Sequence, residues 1–311
     1  MESDGRSLRR VVLYVTIDPY DHRGSAGELR GHGPNLARLR EAATTWRYDT
    51  IVSDVWCGHV TADTLKELSL LALFLSGSYT DWVEAVRQPG WHRLLDTFCA
   101  LIRGTSTPVL AVCGSHQLAA YAFGGWKAVG HMAAWGEDPV SIAEEADGVS
   151  RAPNPRIGEV GTFLYRREID DPLFDRLTAL ADDPLIFSQW HFDQVVLRAL
   201  PAESLLRPVG LNRAALDTAF GREFAHRPVQ DTDGEPSTPM LRRQVESAEE
   251  CCRVQALRYD VPPAGRILYT TQFHPDLAGA DSAGNGDHGI GLLHNFLQLA
   301  DAFWRGSRSV L

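Results

Sequence analysis

Apolar positions recur along this chain with two spacings, and their alternation sketches an architecture. Residues 11–17, 49–56, Leu70–Leu75 and Val109–Val112 are short, β-branched or leucine-rich runs that predict buried strands. Between them the spacing changes to that of a helix with one apolar face. Residues 35–43 carry Leu36, Leu39 and Ala43 on one side, and 91–103 carry Trp91, Leu94, Leu95, Phe98 and Ile102. Residues 61–68 read as a further helix with Thr61 or Asp63 near its cap. Later strands are expected at 157–165 and 185–189, and at 253–259 paired with 266–273 around the turn 262–265. A terminal helix is expected over 292–304, through Leu293, Phe296, Leu297, Ala300, Phe303 and Trp304. Strand–helix alternation of this kind predicts an α/β fold with a mostly parallel central sheet, helices on both faces and functional groups at the carboxyl ends of strands.

One junction stands apart. The apolar run Val109–Val112 leads into Cys113, and an apolar helical pattern through Leu118, Ala119, Tyr121, Ala122 and Phe123 follows until Gly124 and Gly125 stop it. Only small residues flank the cysteine: Ala111, Gly114 and Ser115. A nucleophile on a sharp strand-to-helix turn needs small neighbours, because larger side chains would collide across the turn. The helix that follows aims its N-terminal N–H groups at the sulfur and favours the thiolate. A cysteine after an apolar strand also fits a buried packing residue, and the junction by itself leaves both readings open.

The letters around the junction narrow the choice. Cys113-Gly-Ser-His-Gln117 resembles the G-x-C-x-G-H-Q elbow of the class I glutamine amidotransferases and their relatives, the gamma-glutamyl peptidases and hydrolases. Ala111 and Ser115 stand where that family has glycine. Downstream, Gln272-Phe273-His274-Pro275-Asp276 is similar to the family's Q-F-H-P-E, with aspartate in place of glutamate. A thiol nucleophile needs a base in reach and a third group to orient that base. The resemblance assigns these roles to Cys113, His274 and Asp276. Ser76-Gly77-Ser78-Tyr79 is similar to the family's S-G-G-P turn, which implies an oxyanion hole from Gly77, Ser78 and Gly114. It also implies that Gln117, Tyr79 and His191 line the substrate site, His191 through a segment similar to H-x-D-x-V. Residues 157–165 are similar to the family's E-x-G strand, Asp171-Pro-Leu-Phe174 to a D-P-L-F helix start, and the terminal helix to its closing one.

The resemblance covers roughly residues 70–304. It implies a flavodoxin-like three-layer α/β/α sandwich and cysteine-nucleophile hydrolysis of a gamma-glutamyl amide. Glutamine is the model substrate, its ammonia passing to a partner synthetase, and no metal or organic cofactor is needed. Two alternatives stay open: a stand-alone gamma-glutamyl peptidase or hydrolase, which the Ser76-Gly77-Ser78 turn favours, and a catalytically silent relative acting as a binding module.

Composition adds boundaries. The chain has 311 residues and a formal charge of −10, which suits one large domain over 1–311 and gives no electrostatic support for nucleic-acid binding. No apolar run reaches the ~20 residues of a membrane span, and the polar opening MESDGRSLRR lacks a signal-like core. Five cysteines at no framework spacing fit a reducing cytoplasm. Cys57 and His59 form an isolated pair too small for a metal site, and Cys251-Cys252 read as packing residues. Residues 147–156 and 280–289 read as surface loops. Extra length at about 212–245, with a decapeptide at 230–239 that has no large apolar residue, reads as an inserted loop. It is expected to be inert or to form a lid or docking surface.

Overall fold

The computed structural model describes residues 10–18, 32–47, 50–60, 65, 68–78, 82–85, 90–131, 157–180, 182–191, 193–197, 200–211, 243–244, 254–262, 265–277 and 288–308. In chain order these form β1 (Arg10–Thr16), α1 (Gly33–Trp46), β2 (Thr50–Trp56), β3 (Leu70–Leu75), α2 (Trp82–Ala85), α3 (Trp91–Gly104), β4 (Val109–Val112) and α4 (Gly114–Gly124). Next come β5 (Val129–His131), β6 (Ile157–Arg167), β7 (Leu185–His191), β8 (Asp193–Val195), β9 (Ala202–Ser204) and β10 (Leu206–Leu211). The last are β11 (Arg243–Gln244), β12 (Ala256–Tyr259), β13 (Leu268–Thr271) and α5 (His288–Arg308).

The central sheet runs β2-β1-β3-β4-β13-β12-β9. The first five strands are parallel to one another, and β12 and β9 add an antiparallel edge. Alternation along the strands sorts their side chains into two cores, as the two-residue period of a strand requires. Val12, Tyr14, Phe74, Leu110 and Val112 face the layer made by α1 and α5. Leu13, Val15, Leu73, Leu75, Val109 and Ala111 face α3 and α4. This is a mixed α/β sandwich with a mostly parallel sheet, as the hydrophobic pattern predicts.

A second sheet gathers β10, β6, β7 and β11, with β7 and β10 antiparallel to β6. It meets the central sheet where Ser188 of β7 bridges His274, and where Phe187 stacks on Phe273 with ring centroids 4.0 Å apart. A small ladder pairs β5 with β8.

Several expected boundaries shift. The strand over 185–189 continues through His191, and the terminal helix is longer at both ends. Asp171-Pro-Leu-Phe174 starts no long helix. Asp171 accepts the Leu173 N–H and caps a single 3₁₀ turn, after which the chain bends away. The helix over 61–68, the loops over 147–156 and 280–289, Cys251 and Cys252 lie outside the described residues, apart from Leu65, Leu68 and the last two residues of the final stretch, which open α5. So does the extra length at 212–245, except that Arg243–Gln244 pairs with β6. Among the described residues, no helix is long and apolar enough to cross a membrane.

Phe296 of α5 is fully buried in the core shared with α1 and the sheet. Phe296→Ala is expected to lower folding stability by about 3–5 kcal/mol, through lost transfer energy and an unfilled cavity. Urea denaturation of both proteins checks this.

Candidate active site

The site lies at the carboxyl ends of β3, β4 and β13, three adjacent strands. Register places Thr271 of β13 beside Val112 of β4, and Leu75 of β3 beside Ala111. Three stretches distant in sequence therefore leave the sheet at one point: Ser76–Ser78, Cys113 and Gln272–Asp276.

Cys113 joins β4 to α4 with φ 51° and ψ −107°, a backbone that L-residues rarely adopt. Such a conformation costs on the order of 1–3 kcal/mol and persists where its surroundings over-determine it. Here they do. The Cys113 N–H donates to the Thr271 carbonyl (2.7 Å), and its carbonyl accepts the Gln117 N–H (3.1 Å). The Ser115 hydroxyl donates to the Ser76 carbonyl (2.6 Å), tying the elbow helix to the neighbouring turn. A Cβ on Gly114 would lie 2.8 Å from the Ser78 nitrogen, so glycine is needed for that backbone approach. Serine at position 115, in place of the glycine of the resembling motif, thus makes a bond that glycine has no atoms to form.

His274 comes to Cys113 from β13. Its N–H donates to the Ser188 carbonyl (2.9 Å), so the second sheet holds the loop that presents the ring. Nδ1 lies 3.1 Å from Asp276 Oδ1, and the ring shares its packing against Gly77 with Cys113. Burial disfavours the charged imidazole, but the charge of Cys113 and the bond to Asp276 outweigh it and raise its pKa to about 10. Asp276 is fully buried. Burial alone would raise its pKa; His274 and the Asn35 amide overcome this and hold it below the usual carboxylate range. The Asn35 Nδ2 donates to Asp276 Oδ2 over 2.6 Å from the first turn of α1. Aspartate is one methylene shorter than the glutamate of the resembling motif, yet it reaches His274, and its second oxygen is occupied.

On the other side the Cys113 sulfur lies 3.5 Å from the Trp190 carbonyl. Gly77 sits against the imidazole: an added Cβ would be 2.9 Å from His274 Cε1 and 3.4 Å from Cys113 Cβ. Gly77 therefore packs against His274 and Cys113, and Ser78 against Gly114. Gln117, one helical turn further, is buried and fully engaged. Its Nε2 donates to the Asp193 carbonyl (2.9 Å) and Gln272 Oε1 (3.2 Å), while its Oε1 accepts from the Trp82 indole. His191 is similarly bound, Nε2 to Glu159 (2.7 Å) and Nδ1 to the Asp193 carbonyl (2.7 Å). Gln117 ties the segment after β7 to the elbow helix, and His191 ties it to Glu159 of β6. Tyr79 lies outside the described residues.

Asn35 escaped the sequence reading. It is an ordinary polar residue in the first turn of an amphipathic helix, and its partner lies 241 positions away. Cys57 is buried in a 3₁₀ turn, where burial, with Cys99 nearby, pushes its thiol up to about 12. Among the described residues no group of three or more His, Cys, Asp or Glu is arranged to hold a metal ion.

No protein-family model matches the chain, and no curated protein sequence does. Solved structures do match. A GMP synthase component from Thermoplasma acidophilum aligns with TM-score 0.53 at 15% identity, over 96% of this chain and 98% of its own. A glutamine amidotransferase from Thermotoga maritima aligns with TM-score 0.53 at 12% identity, over 94% and 99%. The glutaminase domain of Trypanosoma brucei CTPS, solved with bound acivicin, aligns with TM-score 0.52 at 13% identity, over 94% of both chains. At these identities the likeness is one of fold, and that fold is the flavodoxin-like sandwich of the glutamine amidotransferases.

Two outcomes test this geometry. NMR titration should place the His274 pKa well above the ordinary histidine value, and Cys113→Ala should lower it, since the Cys113 charge is the largest influence raising it. An unchanged titration would mean that the sulfur and ring do not interact. Gly77→Ala should push the imidazole from its place and slow iodoacetamide alkylation of Cys113 on the order of tenfold or more, because ångström-scale misplacement is costly at such sites.

Proposed function

We propose that the chain is a cysteine hydrolase acting on gamma-glutamyl amides, with glutamine as substrate and ammonia delivered to a synthetase on another chain. The observation that carries this reading is the convergence of Cys113, on its strained elbow, with His274 and the Asp276 carboxylate that orients it. The fold shared with a glutaminase domain and with other glutamine amidotransferases supports the same chemistry.

The Cys113 thiolate attacks the side-chain carbonyl carbon, and the carbonyl electrons move onto oxygen. The N–H groups of Gly114 and of Ser78 or Gly77 receive that oxyanion. His274, held as imidazolium beside the thiolate, donates its proton to the departing nitrogen. The C–N bond breaks, leaving a thioester and ammonia. Neutral His274 then takes a proton from water, whose oxygen attacks the thioester. Collapse releases glutamate and returns the thiolate–imidazolium pair. Asp276 stays ionised throughout, and Asn35 keeps its second oxygen satisfied. Gln117, His191 and Tyr79 belong to the glutamyl side of this site; the first two act through the segment they brace. The chemistry uses no cofactor.

The Ser76-Gly77-Ser78 turn favours a second reading, a stand-alone gamma-glutamyl hydrolase acting on substituted amides or peptides. In either case the proposed unit is one domain over 1–311, with an insertion at about 212–245, working in the cytoplasm.

Hydrolysis of glutamine, gamma-glutamyl amides and gamma-glutamyl peptides by the wild type and by Cys113→Ala checks the proposal. Removal of a nucleophile that acts with its base as a unit is expected to cost on the order of 10⁴-fold or more in kcat. Weak glutamine turnover that a synthetase stimulates supports the amidotransferase. Preference for peptides without any partner supports the hydrolase. Equal inactivity of both proteins on every substrate, with and without synthetases, would overturn the enzymatic reading in favour of a binding module.

A further inference from the structure

A further buried acid–histidine pair lies beside the site, and the chemistry above does not use it. Asp18 lies two residues past the end of β1 and is 1% exposed, as is His32, which precedes α1. Asp18 Oδ2 lies 2.6 Å from His32 Nε2, and His32 Nδ1 lies 3.0 Å from the Tyr14 hydroxyl. The other carboxylate oxygen, Oδ1, accepts the Ser78 hydroxyl over 3.1 Å. The backbone of Asp18 is fixed as well, since its carbonyl accepts the Trp56 indole N–H at 2.7 Å.

A carboxylate taken out of water costs several kcal/mol unless its oxygens are paired, so this one needs a structural reason to be where it is. Ser78 supplies the reason. Residues 76–78 leave β3 without regular structure, and the direction of the Gly77 and Ser78 N–H groups follows from how the turn is held. A donor stabilises a developing oxyanion only when it is already aimed. One end of the turn is tied to the elbow helix through Ser115 and the Ser76 carbonyl. Asp18 ties the other end.

We propose that Asp18, held by His32, is a positioning residue that aims the Gly77–Ser78 backbone at the oxyanion formed on the substrate of Cys113. The same first turn of α1 carries Asn35, which holds Asp276. One helix start thus secures both the turn that would receive negative charge and the carboxylate that orients the base. The inference rests on the function proposed above. It also makes a structural statement that can be read without any substrate.

The test uses the full-length wild type, Asp18→Asn and Ser78→Ala. Ser78→Ala keeps the backbone N–H and removes the hydroxyl that links it to Asp18, so it remains informative if Asp18→Asn folds poorly. Steady-state hydrolysis of a gamma-glutamyl p-nitroanilide should show kcat falling roughly 10- to 100-fold in both variants, with KM within about threefold. Iodoacetamide alkylation of Cys113 should stay within about twofold of wild type, because alkyl displacement develops no oxyanion. Amide hydrogen exchange over 76–78 should accelerate about tenfold or more, with β13 unchanged. Unaltered kcat, or alkylation falling in parallel with hydrolysis, would overturn the inference, as would unaltered exchange over 76–78. If the wild type hydrolyses no gamma-glutamyl substrate, the functional proposal fails, and hydrogen exchange still decides whether Asp18 holds the turn.

Discussion

Much of this site follows from one backbone conformation. At Cys113 the chain must leave a buried parallel strand and enter a helix within a single residue, and it does so at φ 51°. A side chain at such a corner stands clear of both elements, which suits a nucleophile, but the strain must be held by neighbours. The parallel order supplies them. β3 and β13 flank β4, so a carbonyl of one accepts the Cys113 N–H and the turn after the other accepts the Ser115 hydroxyl. The strain, the small residues around it and the strand order are parts of one arrangement.

Around that corner, buried charges are managed in pairs. Asp276 divides its oxygens between His274 and Asn35, Asp18 between His32 and Ser78, and Glu159 takes one oxygen to both His191 and Gln255. Each acid comes from the central sheet, its connecting loops or the second sheet, and its partners come from different elements. A buried carboxylate so satisfied favours one arrangement of those elements over others in which an oxygen would be left bare. The cost of burial thereby becomes definition of the site. The second sheet contributes through backbone and packing: Ser188 holds the His274 N–H, and Phe187 stacks on Phe273.

The long helices and strands β1–β4, β6, β7, β12 and β13 were legible from apolar spacing, because a strand of period two and a helix of period 3.6 expose which face is buried, whereas β5 and β8–β11 were not expected. The exceptions have local causes. Asp171 caps a turn that the following residues do not propagate, and β7 runs two residues past the expected end because it pairs with β6 as far as Glu159 opposite His191. Gln117 and His191, marked in the sequence as substrate-facing, have their polar atoms occupied by Trp82, Asp193, Gln272 and Glu159. Those partners come from four other parts of the chain, and no spacing near Gln117 or His191 could announce them.

Sequence alone determined the layered α/β architecture and the candidate chemistry at Cys113, His274 and Asp276. Both depend on short-range information: hydrophobic period, small residues at a turn, and two compact motifs. Tertiary structure alone decided that Asn35 would hold Asp276 and that Asp18 and His32 would hold Ser78. These bonds join residues tens to hundreds of positions apart. Their geometry exists only once strands β1, β3, β4 and β13 lie side by side, because strand order in a parallel sheet is set by packing helices across its faces rather than by any local pattern in the chain.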